Sequence, residues 1–340
     1  MVLPEVIDLM NNKIDTYDVV VVGGGAAGLS GALLLARSRR SVLVIDRGEP
    51  RNAPAAAAHG FLSRDGINPL ELLELGRAEV RGYGGQLMEG RVSSVARDDV
   101  GFIVTLEDDR VVSARRLLVT TGLVDELPDV PGVRERWGRD VLHCPYCHGW
   151  EVRDQAVGIL ASGSRAVHMA LLFRQLTSDL VLFTHTAPPL TDEQAEQLAA
   201  RHIRVVTGFV DSLEVVDDHL TGVRLRDGSV VPRQALVVAP RFVARSEVLT
   251  ALGLRPTAHP LGGEFLAVAA DATGLTDVPG VWIAGNVTDL AASLVVAAAG
   301  GASAAAAINA DLVAEDTRLA VTAHRYLPSG APERVSASVS

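Results

Sequence analysis

Short apolar runs alternate with helical periodicity along most of the chain, and that alternation predicts an α/β protein with parallel sheets. Tyr17-Asp18-Val19-Val20-Val21-Val22 has the β-branched character of a strand buried on both faces. It runs into Gly23-Gly24-Gly25-Ala26-Ala27-Gly28, then a helical stretch from Leu29 to Arg37, then a strand from Ser41 to Ile45 that ends at Asp46. Residues 69–83 read as a helix. Residues 86–120 read as several short strands, turning at Glu107-Asp108-Asp109 and closing on Leu117-Leu118-Val119-Thr120-Thr121-Gly122. The pattern then repeats: a strand at 156–160, a turn at 161–166, a helix from Val167 to Gln175, and a strand at 180–183. More strands cross 201–239, with a turn at Asp227-Gly228. A last strand, Val278 to Val287, leads into the uncharged stretch Leu290 to Ile308. Residues 1–16 lack periodicity and read as an extension, and the Ser/Pro/Gly-rich tail 327–340 reads as disordered.

A length of 340 residues suits two domains, and 48% apolar residues suffice to fill their cores. The net charge of −10 argues against nucleic acid or an anionic membrane as partner. Lys13 is the only lysine, which excludes a phosphate loop built on Gly-Lys and a Schiff-base mechanism. The stretch 290–308 is long enough to raise a membrane question, but it is mostly Ala and Gly and is flanked by Asp289 and Asp311, so a buried helix is expected. No secretory leader pattern is seen at the start, and two cysteines at redox spacing suit a reducing cytoplasm.

The first glycine run carries a physical logic. Gly23 allows a tight turn, Gly25 lets backbone approach a pyrophosphate, and Gly28 permits close packing of helix on strand. Asp46 falls where an acid would accept bonds from a ribose. A glycine-rich turn without ligand would not need that acid. The long polar excursion after it, through Arg51, Asn52 and His59, has the length of a loop that wraps a cofactor, although His59 reads equally well as a solvent-facing histidine.

The second repeat is degraded. Ala161 stands where the first glycine would be, and Thr184-His185-Thr186-Ala187 follows the second strand in place of arginines suited to a 2′-phosphate. Binding of NAD(P)H there is doubtful, and Arg165 is the one residue that could compensate.

Between the repeats lies His143-Cys144-Pro145-Tyr146-Cys147-His148-Gly149-Trp150-Glu151, with the only two cysteines in the chain. The spacing allows a redox pair, half of a zinc site completed by His143 and His148, covalent haem, or a glutaredoxin-like site. A glutaredoxin would set the pair at a helix start near the beginning of a small domain. Four zinc ligands would crowd one short loop, so no metal is expected.

Taken together, these motifs resemble the low-molecular-weight thioredoxin reductases over nearly the whole chain. In that family a pyridine-nucleotide domain with the cysteine pair interrupts a flavin domain. The resemblance implies two Rossmann-like, three-layer ββα domains, the flavin domain formed by 17–125 and 245–326 and the other by 126–244. Leu118-Val119-Thr120-Thr121-Gly122 and Ile283-Ala284-Gly285-Asn286-Val287 resemble further FAD motifs, with Asn286 where the reductases have aspartate. The cofactor set implied is Gly23, Gly25, Ala26, Ala27, Gly28, Asp46, Arg47, Arg51, Asn52, His59, Val92, Thr121, Gly122, Gly285, Asn286, Ser293 and Leu294. Cys144 to Glu151 is similar to the dithiol-oxidase branch of the superfamily, the gliotoxin-type and holomycin-type enzymes. That branch implies Cys147 nearest the flavin, Cys144 exchanging with substrate, and His148 as acid/base holding a proton near neutral pH. It also implies a homodimer, a small-molecule dithiol as substrate and dioxygen as acceptor. The alternatives are an NAD(P)H- or ferredoxin-dependent reductase of a thioredoxin-like protein, and a flavin-binding thiol sensor.

Overall fold

A computed structural model describes residues 14–99, 101–163, 165–259, 262–267 and 270–326. Most of the expected 1–16 extension and the 327–340 tail lie outside the described residues.

The first lobe begins with β1 (Asp15–Val22), two residues longer than the apolar pattern suggests, followed by α1 (Ala26–Arg37) and β2 (Val42–Asp46). Next come α2 (Pro69–Gly82), β3 (Gln86–Glu89), β4 (Val92–Arg97), β5 (Phe102–Leu106) and β6 (Val111–Val119). Asn68 caps α2 by accepting the amides of Leu70 and Glu71, and Pro69 occupies the first turn, where its missing N–H costs nothing. The strands order as β3-β2-β1-β6-β5-β4. Nine-residue β6 borders antiparallel β5 with Val111–Ala114 and leaves Leu117–Val119 free for a later parallel strand.

A crossing strand, β7 (Leu123–Glu126), leads to the second lobe: α3 (Val133–Arg136), β8 (Val141–Leu142), α4 (Pro145–His148), β9 (Val157–Leu160), α5 (Ala166–Phe173), β10 (Leu180–Phe183), α6 (Asp192–Ala200) and β11 (Arg204–Val206). An antiparallel meander follows, β12 (Val210–Val216), β13 (His219–Leu225) and β14 (Val230–Pro232), and then β15 (Ala235–Val237). The parallel sheet here orders β11-β10-β9-β15-β8. The return strand β16 (Arg241–Ala244) pairs antiparallel with β7, so both crossings run side by side. After α7 (Glu247–Ala251), β17 (Thr257–His259) and β18 (Gly262–Ala267), the chain re-enters the first sheet through β19 (Val281–Ile283) on β6 and ends in α8 (Leu294–Tyr326).

Period-two alternation sorts the first core. Val20 and Val22 of β1 face the β4–β5 side with Phe102 and Leu106, while Val19 and Val21 face α1 and α8. Leu118 is wholly buried on the helical side, and truncating it to alanine would cost about 2–5 kcal/mol. The apolar stretch expected as a buried helix is the start of a 33-residue α8 that is long and apolar enough to cross a membrane by length and composition. Ala304, Ala305, Ile308 and Leu312 of that helix are buried in the core shared with α1.

Candidate active site

The fingerprint loop is held by contacts that leave its mouth open. The amide of Gly23 donates to Ile45 O at 2.8 Å, and Gly23 adopts φ +107°, which favours glycine. Thr120 donates its hydroxyl to Gly23 O at 2.8 Å and to Val22 O at 3.2 Å, pinning the turn to the end of β6. Behind the loop, a Cβ on Gly28 would fall 1.9 Å from Gly23 O, and one on Gly301 of α8 would fall 1.9 Å from Ala27 O. In front, nothing lies within 4 Å of a Cβ on Gly25, and no side chain caps the N-terminus of α1. The amides of the first helical turn, including those of Ala26 and Ala27, therefore face an open cradle with the positive end of the helix dipole.

Asp46 ends β2 packed against Gly24, where it accepts from Arg77 Nη2 at 3.2 Å. Beside the cradle the structure adds a cation that the sequence did not single out. The backbone of Arg245 is tied to the 121–122 turn through Thr121 Oγ1→Arg245 O at 2.5 Å and Arg245 N→Gly122 O at 2.9 Å. Its half-buried guanidinium has no hydrogen-bond or ion-pair partner among the described residues. Burial and the nearby charges of Arg47 and Arg91 hold it below the ordinary arginine value. A desolvated cation with no close partner, carried at the turn next to the Thr120 that pins the fingerprint loop, is suited to an anionic group such as a phosphate.

The remaining residues expected at the cofactor fall into three groups. Gly285 has φ +75° and packs on Ala27 at the C-terminal end of β19, beside Asn286. Asn286 donates Nδ2 to Asp289 O and Ala292 O at 3.0 Å each and turns Oδ1 toward Arg51 Nη1 at 3.5 Å, so its amide is fixed by its own turn. Ser293 and Leu294 start α8, with Ser293 O accepting Ala297 N–H. Val92 buries its side chain in the core, so only its backbone is available. Thr121 and Gly122 are committed to Arg245, and Thr120 is the residue that touches the fingerprint. Arg47 lies 3.1 Å from exposed Glu49, and the half-buried Asn52 accepts Ala55 N–H on its backbone carbonyl.

His59 and Arg51 are both engaged by other side chains. Both ring nitrogens of His59 face carboxylates, Nδ1 with Asp65 Oδ2 at 3.2 Å and Nε2 with Glu151 Oε1 at 3.4 Å. Arg51 makes a fork to Asp125, with both bonds at 2.7 Å, and stacks over the Phe242 ring at 5.0 Å. The excursion that carries both residues therefore reaches toward the crossing strands and the second lobe.

Cys144 and Cys147 form a disulfide with Cα atoms 5.2 Å apart. The pair does sit at a helix start, with Cys144 as N-cap and Pro145 in the first turn, but α4 is one turn long. Tyr146, between the cysteines, and Trp150, just beyond them, are 76% and 66% exposed, and Arg153 lies over the Trp150 ring at 4.3 Å. His148 has Nε2 buried with no partner, and burial holds its pKa below the ordinary histidine value, opposed by Glu151 and reinforced by His59. This corrects the expectation of a proton held near neutral pH: His148 is biased toward the neutral ring. The preceding His143 is pushed down to about 4, first by burial; its Nδ1 lies 3.2 Å from Val238 O, and the Phe242 ring meets it edge-on at 5.1 Å. No cluster of three or more metal-ligating side chains occurs among the described residues.

The second nucleotide-like turn is tied to the loop after β10. Ala161 N donates to Phe183 O at 2.9 Å, mirroring Gly23, and Ala161 O accepts Ala187 N–H at 3.1 Å from that loop, as Gly23 O accepts Thr120 Oγ1 in the first fold. Thr184 and His185 in the loop are engaged by the amides of Gly208 and Val210, and Phe209 meets the His185 ring edge-on.

A short Cys-x-x-Cys disulfide in one lobe and an open dinucleotide cradle in the other are the marks of a flavin-coupled disulfide oxidoreductase. The chain belongs to the pyridine nucleotide-disulphide oxidoreductase family, matched over residues 17–308. It is 31% identical over 258 residues to thioredoxin reductase sirT of Leptosphaeria maculans, covering 71% of this chain and 79% of that protein. It is 28% identical over 230 residues to a "Probable thioredoxin reductase" of Arthroderma benhamiae, covering 63% of this chain and spanning 55% of that relative's length. Among solved structures it is similar to HlmI, with 51% identity, a TM-score of 0.84, and coverage of 91% of this chain and 96% of that one. The protein is a thioredoxin reductase-like flavoprotein enzyme. The open cradle at Gly25 and the partnerless Arg245 fit the pyrophosphate of FAD.

Proposed function

We propose that this chain oxidises a small-molecule dithiol to its disulfide, with dioxygen as acceptor and hydrogen peroxide as product. The observation that supports this reading is the altered second turn. Ala161 replaces the first glycine of the fingerprint, and Thr184-His185-Thr186-Ala187 stands after β10 where arginines would hold a 2′-phosphate, so the site suited to loading reducing equivalents from NAD(P)H is degraded. The half-buried disulfide lies in a segment whose Tyr146 and Trp150 expose apolar ring surface that suits a small apolar thiol.

In the proposed sequence a substrate thiolate attacks Cys144 Sγ, the 144–147 bond breaks, and Cys147 leaves as thiolate. The second substrate thiolate then attacks the substrate sulfur of the mixed disulfide, forms the product disulfide and releases Cys144. His148, neutral by burial, takes the substrate proton at Nε2. The amides at Gly25 to Gly28, Asp46 and Arg245 would hold FAD, which when bound would supply two-electron acceptance and delivery to dioxygen. One dithiol and one dioxygen thus give one disulfide and one hydrogen peroxide. The reading extends to a homodimer, supported by the exposed apolar residues Val295, Val296 and Val313 on α8, and to a cytoplasmic setting, in keeping with a chain whose two cysteines stand at redox spacing.

Oxygen uptake by the yellow holoenzyme with a panel of small dithiols tests the proposal. Steady uptake that is lost in Cys144→Ser supports it. Flavin bleached promptly by NADPH or reduced ferredoxin and unmoved by dithiols would replace it with a reductase of a thioredoxin-like protein.

A further inference from the structure

One excursion of the first lobe, residues 47–68 between β2 and α2, touches the second lobe and the crossing strands at three separate places. Arg51 forks onto Asp125 of β7, whose carboxylate is 9% exposed, and covers the ring of Phe242 on β16. Pro54 packs against Gly138 so tightly that a Cβ there would fall 2.7 Å from Pro54 Cβ, and Gly138 has φ +81°. His59 bridges the excursion's own Asp65 to Glu151, three residues beyond His148. The loop is stiffened for this task. An isolated bridge joins Ala58 to Ile67, and Asp65 also accepts the Gly60 amide at 2.8 Å.

The His59–Glu151 contact alone is modest, because partly exposed pairs contribute about 0.2–1 kcal/mol. Three contacts on one short loop act together, since the loop closure is shared among them. They bracket the cysteine segment, with Gly138 before it, Glu151 after it, and Asp125 and Phe242 at its root.

We propose that the excursion is a clamp that holds the disulfide segment against the flavin lobe, with Glu151 as its positioning residue, and so restricts the disulfide to thiols small enough to reach it without displacing the loop. This rests on the dithiol-oxidase reading and adds a size limit to it. A protein dithiol must bring its own surface within bonding distance of Cys144 Sγ and so displace a segment that the loop holds at Gly138 and Glu151. A small dithiol makes no such demand.

The test uses full-length holoenzyme with wild type, Glu151→Gln, His59→Asn and His59→Arg, the last placing a guanidinium opposite Glu151. Hydrogen exchange of the amides in 139–152 reads the clamp without any turnover. Anaerobic reduction of the Cys144–Cys147 disulfide, by dithiothreitol and separately by reduced thioredoxin, reads the size limit. Glu151→Gln and His59→Asn should raise exchange in 139–152 by roughly 3-fold, the scale of one lost pair. The same variants should narrow the rate gap between dithiothreitol and thioredoxin by a similar factor, while His59→Arg stays near wild type. If exchange and rate gap in both variants match wild type, or if thioredoxin reduces the wild type as fast as dithiothreitol does, the clamp is refuted. Absence of oxygen uptake with every dithiol, together with the expected exchange and rate changes, would remove the oxidase reading and leave the clamp standing.

Discussion

The histidine just before the cysteine pair makes the stability of the second lobe sensitive to acid. Burial, with Arg51 and Arg165 nearby, pushes His143 down to about 4 from an ordinary 6.5, opposed by its bond to Val238 O and by Asp125. Because the folded pKa is depressed, the unfolded chain binds the proton more readily. His143 therefore contributes its full stability above about pH 6.5, and that contribution is lost progressively as pH falls toward 4. At about 1.4 kcal/mol per unit, the loss between pH 7 and pH 5 comes to about 2 kcal/mol. His143→Gln removes the titration and keeps an amide that can donate to Val238 O. Urea unfolding followed by tryptophan fluorescence at pH 7, 6 and 5 should show wild type losing about 2 kcal/mol more than H143Q across that range. His148 and His185 titrate in both proteins and cancel in the comparison. Parallel losses in the two would mean that burial does not hold His143 neutral, and the argument would fail.

Three further outcomes follow from the geometry. Arg245→Gln should weaken FAD binding by about 5-fold or more, read by flavin fluorescence, with the stability of the flavin-free protein unchanged; unaltered affinity would remove Arg245 from the phosphate site. Gly301→Val drives a side chain into Ala27 O and should cost about 3 kcal/mol, together with cofactor retention, in a thermal melt. Arg136→Met leaves Asp140 without the buried guanidinium that pairs it, and should destabilise the second lobe by about 3 kcal/mol in chemical unfolding; Arg136 is itself only 4% exposed.

Most of the architecture is local enough to be legible in the sequence. The β-branched runs, the glycine fingerprint with Asp46 and the repeat after the cysteines all depend on neighbours in the chain, and those strands and helices stand where expected within a few residues. What escaped notice depends on partners far apart in sequence. Thr120 is recognisable only when it meets Gly23, Gly301 only when α8 lies on Ala27, and Arg245 only when the return crossing brings it to the 121–122 turn. The surroundings of His59 are equally non-local, because a loop histidine's ring takes its role from whatever faces it, here Asp65 and Glu151. The protonation of His148 follows from burial, which no local pattern of residues encodes.

The long β6 that borders two different strands has a consequence for how the protein comes into being. Its C-terminal half waits for β19, more than 160 residues further along the chain, and the helical face of the first core waits for α8. On a ribosome, everything from β8 to β15 has emerged before those pieces exist. The lobe with the cysteines can therefore collapse first as a contiguous unit, while the nucleotide cradle stays unfinished until the last helix is made. A nascent chain arrested near residue 250 should carry a formed thiol lobe and no capacity to hold a flavin.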